Sequence, residues 1–156
     1  NAYVINPKIH KKLRTSYWRY IFVIIEMTNF ERSFGELLDS LSMAQISIEQ
    51  TTSYALNHPN KFDLVLKLWQ KFLNRANVEK SICLLYLAND IIHRIRDKSA
   101  REKFAQCLIN NIDYLTSNKI KPTLVRVVKI WAERKVFPHE IMKKFKHLIC
   151  NIFFLL

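Results

Sequence analysis

The sequence is poor in turn-forming residues, with 1 glycine and 4 prolines among 156 residues. β-Hairpins depend on short turns that use glycine, so this scarcity argues against a fold built from hairpins. The stretches between the few chain breakers carry apolar patterns of helix length. The sequence therefore predicts an all-α fold. A glycine-rich phosphate loop is also excluded, because Gly35 lies inside a helical pattern.

Motifs for metal binding and nucleophilic catalysis are missing as well. The 5 histidines are scattered without an H-E-x-x-H pair, and Cys83, Cys107 and Cys150 form no C-x-x-C pair. No serine lies in a nucleophile-elbow context. We therefore expect no metal, no cofactor and no enzymatic activity. The odd number of separated cysteines favours reduced thiols in an intracellular compartment.

Positive charge is what the sequence has in excess. The formal net charge is +12, from 25 Lys and Arg against 13 Asp and Glu. Between residues 115 and 147 there are nine basic residues and only Glu133 and Glu140 as acids. Such a domain attracts nucleic acid, anionic lipid or a phosphorylated peptide. A solvated basic surface without a ligand accounts for the same composition.

Helix-capping patterns predict where the domain begins. Thr28 as N-cap with Glu31 three residues later predicts a first helix over about 29–41. Residues 1–26 are then an extension, either an appended helix or a segment foreign to the native chain. We assign the domain to residues 27–150. The apolar tail 151–156 either completes the last helix or is likewise foreign.

The remaining helices follow from similar signals. A capping box that starts at Ser47 predicts a second helix ending before Pro59, and Pro122 and Pro138 each open a later helix. Between them the sequence predicts helices over about 60–74, 77–95 and 98–115. Seven or eight short helices with short connections indicate a helical solenoid.

The stretch "LLYLANDIIHRI", residues 84–95, predicts a mostly apolar helix with one polar stripe. Tyr86, Asn89, Asp90 and His93 are spaced at i, i+3, i+4 and i+7, which places them on one face. An amide beside a carboxylate on such a helix indicates either a ligand-binding surface or pairing with a neighbouring helix.

Three blocks of the chain resemble the CID family, the domain that binds the C-terminal repeat tail of RNA polymerase II. They are "FGELLDSLSMAQISIEQTTSYALNHPNKFDLVLKLWQKFL", "LLYLANDIIH" and "LVRVVKIWAERKVFPHEIM", and together they span about residues 29–148. The "LYLAND" string resembles a subgroup of transcription-termination and polymerase-regulating proteins. The resemblance implies eight helices in a right-handed superhelix, similar to VHS and ENTH domains. It also implies a nuclear location and a groove for a phosphorylated heptad repeat whose Ser-Pro segment forms a β-turn.

The resemblance implies a role for each residue of the polar stripe and of the basic helix. Asp90 would accept a hydrogen bond from the tyrosine hydroxyl of the repeat, Asn89 would hold the groove or the peptide backbone, and Tyr86 would form an aromatic wall. Arg126 would bind the phosphate, most simply of phosphoserine at the second heptad position. Lys129 and Arg134 would belong to the same phosphate site.

One part of the motif departs from the family. CID sequences commonly carry an asparagine shortly after "LAND" that reaches the peptide backbone, whereas this chain has His93, Arg94 and Ile95 there. We assign His93 and Arg94 to the peptide-binding set. Arg94 either makes a charged contact, for example with a second phosphate, or points to solvent.

Other interpretations remain open on the sequence alone. Lys129 and Glu133 at i,i+4 spacing could simply pair on a solvated face, and Asp90 could pair with a neighbouring arginine or lysine. A VHS- or ENTH-like trafficking adaptor that binds sorting peptides or phosphoinositides is the main alternative function. Weak RNA contact by the basic surface is another. Without a coiled-coil heptad run, we expect a monomer.

Overall fold

The computed structural model describes the backbone of residues 7–153 and the side chains of residues 15–150. Within that range the chain is helical and contains no strand, which confirms the all-α prediction. The α-helices are α1 Pro7–Asp39, α2 Gln45–Leu56, α3 Phe62–Asn74, α4 Val78–Arg94, α5 Lys98–Asn110, α6 Lys121–Glu133 and α7 His139–Phe153. Two short 3₁₀-helices, Pro59–Lys61 and Ile112–Leu115, precede α3 and follow α5. The right-handed superhelical arrangement stays a prediction.

The chain divides into two compact units, Asn1–Ser33 and Phe34–Leu156. In the first unit, Thr28 lies inside α1, and its hydroxyl donates to the carbonyl of Ile24 at 2.9 Å. This is the i−4 back-bond of a threonine in a helix interior rather than an N-cap. The predicted helix start near residue 29 is therefore wrong. The assignment of the domain to residues 27–150 stays a prediction, and the tail 151–156 lies largely outside the described residues.

The second helix begins earlier than the capping pattern predicted. Ala44 is the N-cap of α2 and offers no side-chain cap, whereas Ser47 lies in the first turn. The Ser47 hydroxyl accepts a hydrogen bond from the backbone N–H of Ser42 at 3.1 Å, so it ties the preceding loop to the helix. The capping-box interpretation of Ser47 is therefore wrong, and the true start adds the Gln45 turn to α2.

The other helix boundaries lie close to the predicted ones. Asn77 caps α4, where its side-chain oxygen accepts from the backbone N–H of Lys80 at 2.8 Å. Pro122 lies in the first turn of α6, and Pro138 immediately precedes α7. The fifth helix is shorter than expected, because α5 ends at Asn110 and a 3₁₀ turn replaces its predicted continuation to residue 115.

Two tryptophans organise the core of the second unit. Trp69 and Trp131 are both 0% exposed, and the indole N–H of Trp69 donates to the carbonyl of Leu84 at 2.9 Å. Phe104 packs edge-on against Trp69 and Phe137 against Trp131, each at a centroid distance of 5.4 Å. On α4 the buried core residues include Leu84, Leu87, Ile91 and Ile92. On α6 Val127 and Val128 are buried, whereas Ile130 is only half-buried.

A lysine joins the end of α1 to α4. The ammonium of Lys80 donates to the carbonyls of Leu38, Asp39 and Leu41 at 3.1, 2.8 and 2.8 Å. The carbonyls of Leu38 and Asp39 lie in the last turn of α1, where intrahelical donors are missing, and that of Leu41 lies just beyond it. A cation there satisfies these acceptors and complements the helix dipole. The contact fixes the loop before α2 to the first turn of α4, and α2 in turn packs along α4.

The connection from α6 to α7 is a tight C-terminal cap. Lys135 has φ of 53°, in the left-handed region. The N–H of Val136 donates to the carbonyl of Trp131 at 3.0 Å, and that of Lys135 to Ala132 at 3.3 Å. This pair of bonds is a Schellman motif, which usually places glycine at the left-handed position.

Candidate functional site

The polar stripe of α4 lies at the surface of an otherwise buried helix. Tyr86, Asn89, Asp90 and His93 are half-buried, whereas the positions between them are fully buried. A polar side chain at such a boundary keeps partial access to solvent and gains rigidity from the packed helix beneath it. The stripe therefore provides fixed polar groups beside the α2–α4 interface.

Asn89 is anchored to the core from two sides. The buried indole N–H of Trp131 donates to its side-chain oxygen at 2.9 Å, and its backbone carbonyl lies 2.8 Å from Nδ1 of His93. Because the indole can only donate, the asparagine oxygen is fixed as the acceptor and the amide NH₂ keeps its two donors. The carbonyl likewise makes Nδ1 of His93 the donor. Nε2 of His93 is buried, without a hydrogen-bond partner among the described residues.

Tyr86 contacts the arginine that the sequence singles out for phosphate binding. The guanidinium of Arg126, on α6, donates to the Tyr86 hydroxyl at 2.8 Å. Arg126 is otherwise exposed. One of its five N–H donors is used in this contact, which leaves a planar fork for another acceptor. The structure thus brings together two predicted site residues that are 40 positions apart in sequence.

A pocket of about 290 Å³ lies beside this pair. Its lining residues are Met43, Gln45, Ile48, Glu49, Tyr86 and Asp90. The amide of Gln45 donates to the Glu49 carboxylate at 2.7 Å, which orients that side chain. Two carboxylates in one small pocket favour a ligand group that donates a hydrogen bond and disfavour an anion.

Arg94 lies on the other side of the acidic pocket. Its guanidinium is 3.3 Å from the Asp90 carboxylate and reaches the Ser53 hydroxyl on α2 at 3.5 Å. Asp90 therefore pairs within its own helix. Arg94 also lines a larger pocket of about 490 Å³ that lies between the ends of α2 and α4 and the start of α5.

The two other predicted phosphate residues lie exposed at the C-terminal half of α6. Lys129 pairs with Glu133 at 3.9 Å in the i,i+4 arrangement, with side chains that are 76% and 63% exposed. Arg134 is the C-cap residue of α6. An exposed pair of this kind contributes about 0–1 kcal/mol, so Lys129 can exchange Glu133 for a stronger anion at little cost.

The α2 side of the pocket was not predicted from the sequence. Placing the start of α2 at Ser47 left out Met43 and Gln45, which line the pocket, and no pattern marked Glu49 as a site residue. In the structure, Met43 just before α2 and Ile46 in its first turn are large apolar side chains that remain 47% and 62% exposed.

Other kinds of site are absent from the described part of the chain. Among those residues, no three His, Cys, Asp or Glu side chains are close enough together to hold a metal ion. None of the described helices has the length and hydrophobicity of a membrane span. Burial raises the pKa of the Cys107 thiol to about 11 and also raises that of Cys83. Neither cysteine therefore has the lowered pKa of a reactive thiol.

The second unit has the features of a protein-interaction domain, because a small acidic pocket lies between two of its helices with an arginine on each side. Comparison with known proteins identifies the family of this domain. The sequence model of the CID domain matches residues 32–145. The chain belongs to the CID domain family.

Related curated proteins share this region at modest identity. Regulation of nuclear pre-mRNA domain-containing protein 1A of Mus musculus is 26% identical over 124 residues, covering 76% of this chain and 40% of that protein. Regulation of nuclear pre-mRNA domain-containing protein 2 of Mus musculus is 27% identical over 115 residues, covering 72% of this chain and 8% of that protein. Regulation of nuclear pre-mRNA domain-containing protein 1B of Homo sapiens is 25% identical over 126 residues, covering 77% of this chain and 39% of that protein. The chain thus spans less than half the length of these relatives.

Proposed function

We propose that this chain is a non-enzymatic reader of the phosphorylated heptad-repeat tail of RNA polymerase II. Membership of the CID family gives the ligand class. The observation that carries the proposal is the Arg126–Tyr86 contact beside the pocket that contains Asp90. The names of the relatives refer to nuclear pre-mRNA, which supports a nuclear role in termination, 3′-end processing or polymerase regulation.

The acidic pocket suits the tyrosine of the repeat. Asp90 and Glu49 supply carboxylate acceptors at one end, and Ile48 and Met43 supply apolar walls. A phenol needs both, since its ring is apolar and its hydroxyl donates a hydrogen bond. A charge-assisted hydrogen bond of this kind contributes about 1.5–3 kcal/mol.

Arg126 then binds the phosphate of the neighbouring phosphoserine. A phosphoserine carries about −1.5 to −2 charge and three acceptor oxygens, which a guanidinium can bind bidentately. The Tyr86 hydroxyl fixes one edge of the guanidinium, so less side-chain entropy is lost on binding. Lys129 and Arg134 extend the positive potential along α6. We assign the phosphate to the second heptad position.

Asn89 and His93 complete the peptide-binding set. Because Trp131 fixes the Asn89 side-chain oxygen, the amide NH₂ is the part that can donate to a peptide carbonyl. His93 supports this arrangement through its contact with the Asn89 carbonyl. With one short peptide and few anchors, we expect a dissociation constant of about 1–100 μM, or roughly −5 to −8 kcal/mol.

Fluorescence anisotropy with two-repeat tail peptides tests the proposal. Three peptides are compared: unmodified, phosphorylated at the second-position serines, and phosphorylated at the fifth-position serines. We expect the second-position phosphopeptide to bind best. Arg126→Ala should remove most of that preference. Arg75→Ala is the matched control, since Arg75 lies at the end of α3 with its guanidinium 4.4 Å from the Phe72 ring centroid.

The alternatives give different results in the same assay. Equal, salt-sensitive binding of both phosphopeptides, with equal losses in the Arg126 and Arg75 variants, would indicate only a basic surface. Absence of binding to every peptide would refute the proposal and redirect attention to phosphoinositide vesicles, the ligand of the trafficking alternative.

A further inference from the structure

We propose that Arg94 forms a second phosphate subsite, so that the groove prefers a peptide with two phosphoserines three or four residues apart. This inference rests on the proposed function and deepens it, because it defines the phosphorylation pattern that the groove selects. Neither the family match nor the relatives' names assign a role to this arginine.

Arg94 is held at the groove but is not buried in it. Its side chain is 44% exposed, and its guanidinium contacts Asp90 in the acidic pocket and Ser53 on α2. These contacts direct the guanidinium across the α2–α4 boundary. An arginine without these contacts would sample many rotamers in solvent, whereas the Arg94 guanidinium is held between the acidic pocket and the larger pocket that it also lines.

A phosphate can bind Arg94 at little cost to the existing contacts. The contacts with Asp90 and Ser53 use two of its five N–H donors. The ion pair with Asp90 is a partly exposed i,i+4 pair, which is a weak interaction in water. A doubly charged phosphate at close range outcompetes a single carboxylate and can also share the guanidinium with it.

The larger pocket next to Arg94 is shaped to receive the continuing peptide. Its walls are mostly apolar, from Leu56, Pro59, Phe62 and Ile95, and Arg96 lies on it with Arg94. Asp97 is its one acidic residue, and that carboxylate accepts from the backbone N–H groups of Ser99 and Ala100 at the start of α5. The negative charge is therefore directed into the helix terminus, and the two arginines give this end of the groove a positive potential.

The distance between the two arginine positions sets the spacing of the phosphates. Arg126 contacts the hydroxyl of Tyr86, and Tyr86 and Arg94 are eight residues apart on one continuous helix. At 1.5 Å rise per residue their Cα atoms are separated by about 12 Å along the axis. This is the upper bound for the spacing of the two guanidinium groups, because that of Arg94 reaches back to Asp90. An extended peptide covers about 3.3 Å per residue, so three to four residues span this distance. In tandem heptads, a fifth-position serine and the next second-position serine are four residues apart.

The test uses peptides of identical length that differ in phosphate placement. One carries a single phosphate on the second-position serine of the second repeat. Another adds a phosphate four residues earlier, and a third carries its added phosphate seven residues earlier. We expect the four-residue spacing to improve affinity about fivefold or more over the single phosphate. The seven-residue spacing should give only about a twofold gain, because two equivalent sites then compete for one arginine.

Arg94→Gln separates this inference from the proposed function. In that variant the peptide with the four-residue spacing should bind no better than the singly phosphorylated peptide binds to the same variant, so the gain of about fivefold is lost. Arg75→Gln should change none of these values. Equal affinities for the two doubly phosphorylated peptides, or an equal loss for all peptides in Arg94→Gln, would refute the second subsite while leaving the Arg126 site intact. A singly phosphorylated peptide that binds no better than the unmodified one would instead refute the proposed function, and the second subsite with it.

Discussion

Replacing Tyr86 by phenylalanine tests whether this residue positions the phosphate-binding arginine or only forms a wall of the pocket. The substitution keeps the half-buried ring and removes the hydroxyl that accepts from Arg126 at 2.8 Å. A net hydrogen bond contributes about 0.5–1.5 kcal/mol, which corresponds to a change of about 2- to 12-fold in a dissociation constant. The guanidinium would also regain rotamer freedom that binding must then remove.

The effect should depend on the phosphate. We expect Tyr86→Phe to weaken the second-position phosphopeptide about three- to tenfold and the unmodified peptide less than about twofold. Anisotropy titrations of both peptides measure this difference directly. The double variant Tyr86→Phe with Arg126→Gln should bind the phosphopeptide like Arg126→Gln alone, because the hydroxyl acts only through the arginine.

Two outcomes would refute this reasoning. Equal weakening of both peptides by Tyr86→Phe would make the hydroxyl a general pocket contact. Additive losses in the double variant would show that Tyr86 contacts the ligand independently of Arg126. Thermal unfolding of each variant controls for stability, since an effect on peptide affinity is interpretable only where the folded fraction is unchanged at the assay temperature.

The remaining predictions concern stability and thiol reactivity. Lys80→Met removes three hydrogen bonds to carbonyls at and just beyond the end of α1, and it should lower the free energy of unfolding in urea by about 1.5–3 kcal/mol. Lys98 has a 77% exposed side chain, so the control Lys98→Met should change that free energy by less than about 0.5 kcal/mol. Lys135→Gly relieves a φ of 53° and should stabilise by about 1 kcal/mol, raising Tm by about 2–4 °C in calorimetry. Iodoacetamide at pH 8 should modify the exposed Cys150 first, as followed by mass spectrometry. Cys107, whose pKa is raised to about 11 by burial, should resist modification until the pH rises toward that value. Destabilisation by Lys135→Gly, equal losses for the two lysine variants, or early labelling of Cys107 would contradict the corresponding argument.

The helix content could be predicted from the sequence because it depends on local patterns. Apolar periodicity and the positions of Pro122 and Pro138 give the later helices to within a few residues, and Asn77 caps α4 as its position suggests. Capping boxes were less reliable. Thr28 and Ser47 both fit the pattern, yet Thr28 bonds back within α1 and Ser47 accepts from the preceding loop. A side chain that can cap a helix can equally bond elsewhere in it, and the tertiary context decides.

The groove itself was only partly predictable. The stripe on α4 follows from the spacing within one helix, but the partners of its residues come from other helices. Trp131 holds Asn89 from 42 positions away, and Glu49 faces Asp90 from α2. The resemblance to the CID family pointed to Arg126, whereas its hydrogen bond to Tyr86 is visible only in the three-dimensional structure. Long-range side-chain pairing has no signal in a single sequence, and this limits what pattern reasoning can reach.

The order of charges along α4 distinguishes this groove from a basic surface that attracts any anion. Arg126 lies at one end beside Tyr86, the carboxylates of Asp90 and Glu49 lie in the middle, and Arg94 lies at the other end. A ligand with continuous negative charge gains at both ends but is repelled at the centre. A ligand that alternates phosphate, hydroxyl donor and phosphate gains at every position, whereas a mismatched ligand places an anion against the half-buried carboxylates. If this alternation sets specificity, Asp90→Asn should tighten the binding of generic polyanions such as heparin and weaken the binding of the tail phosphopeptide. A parallel change in both affinities would show that net charge alone governs the groove.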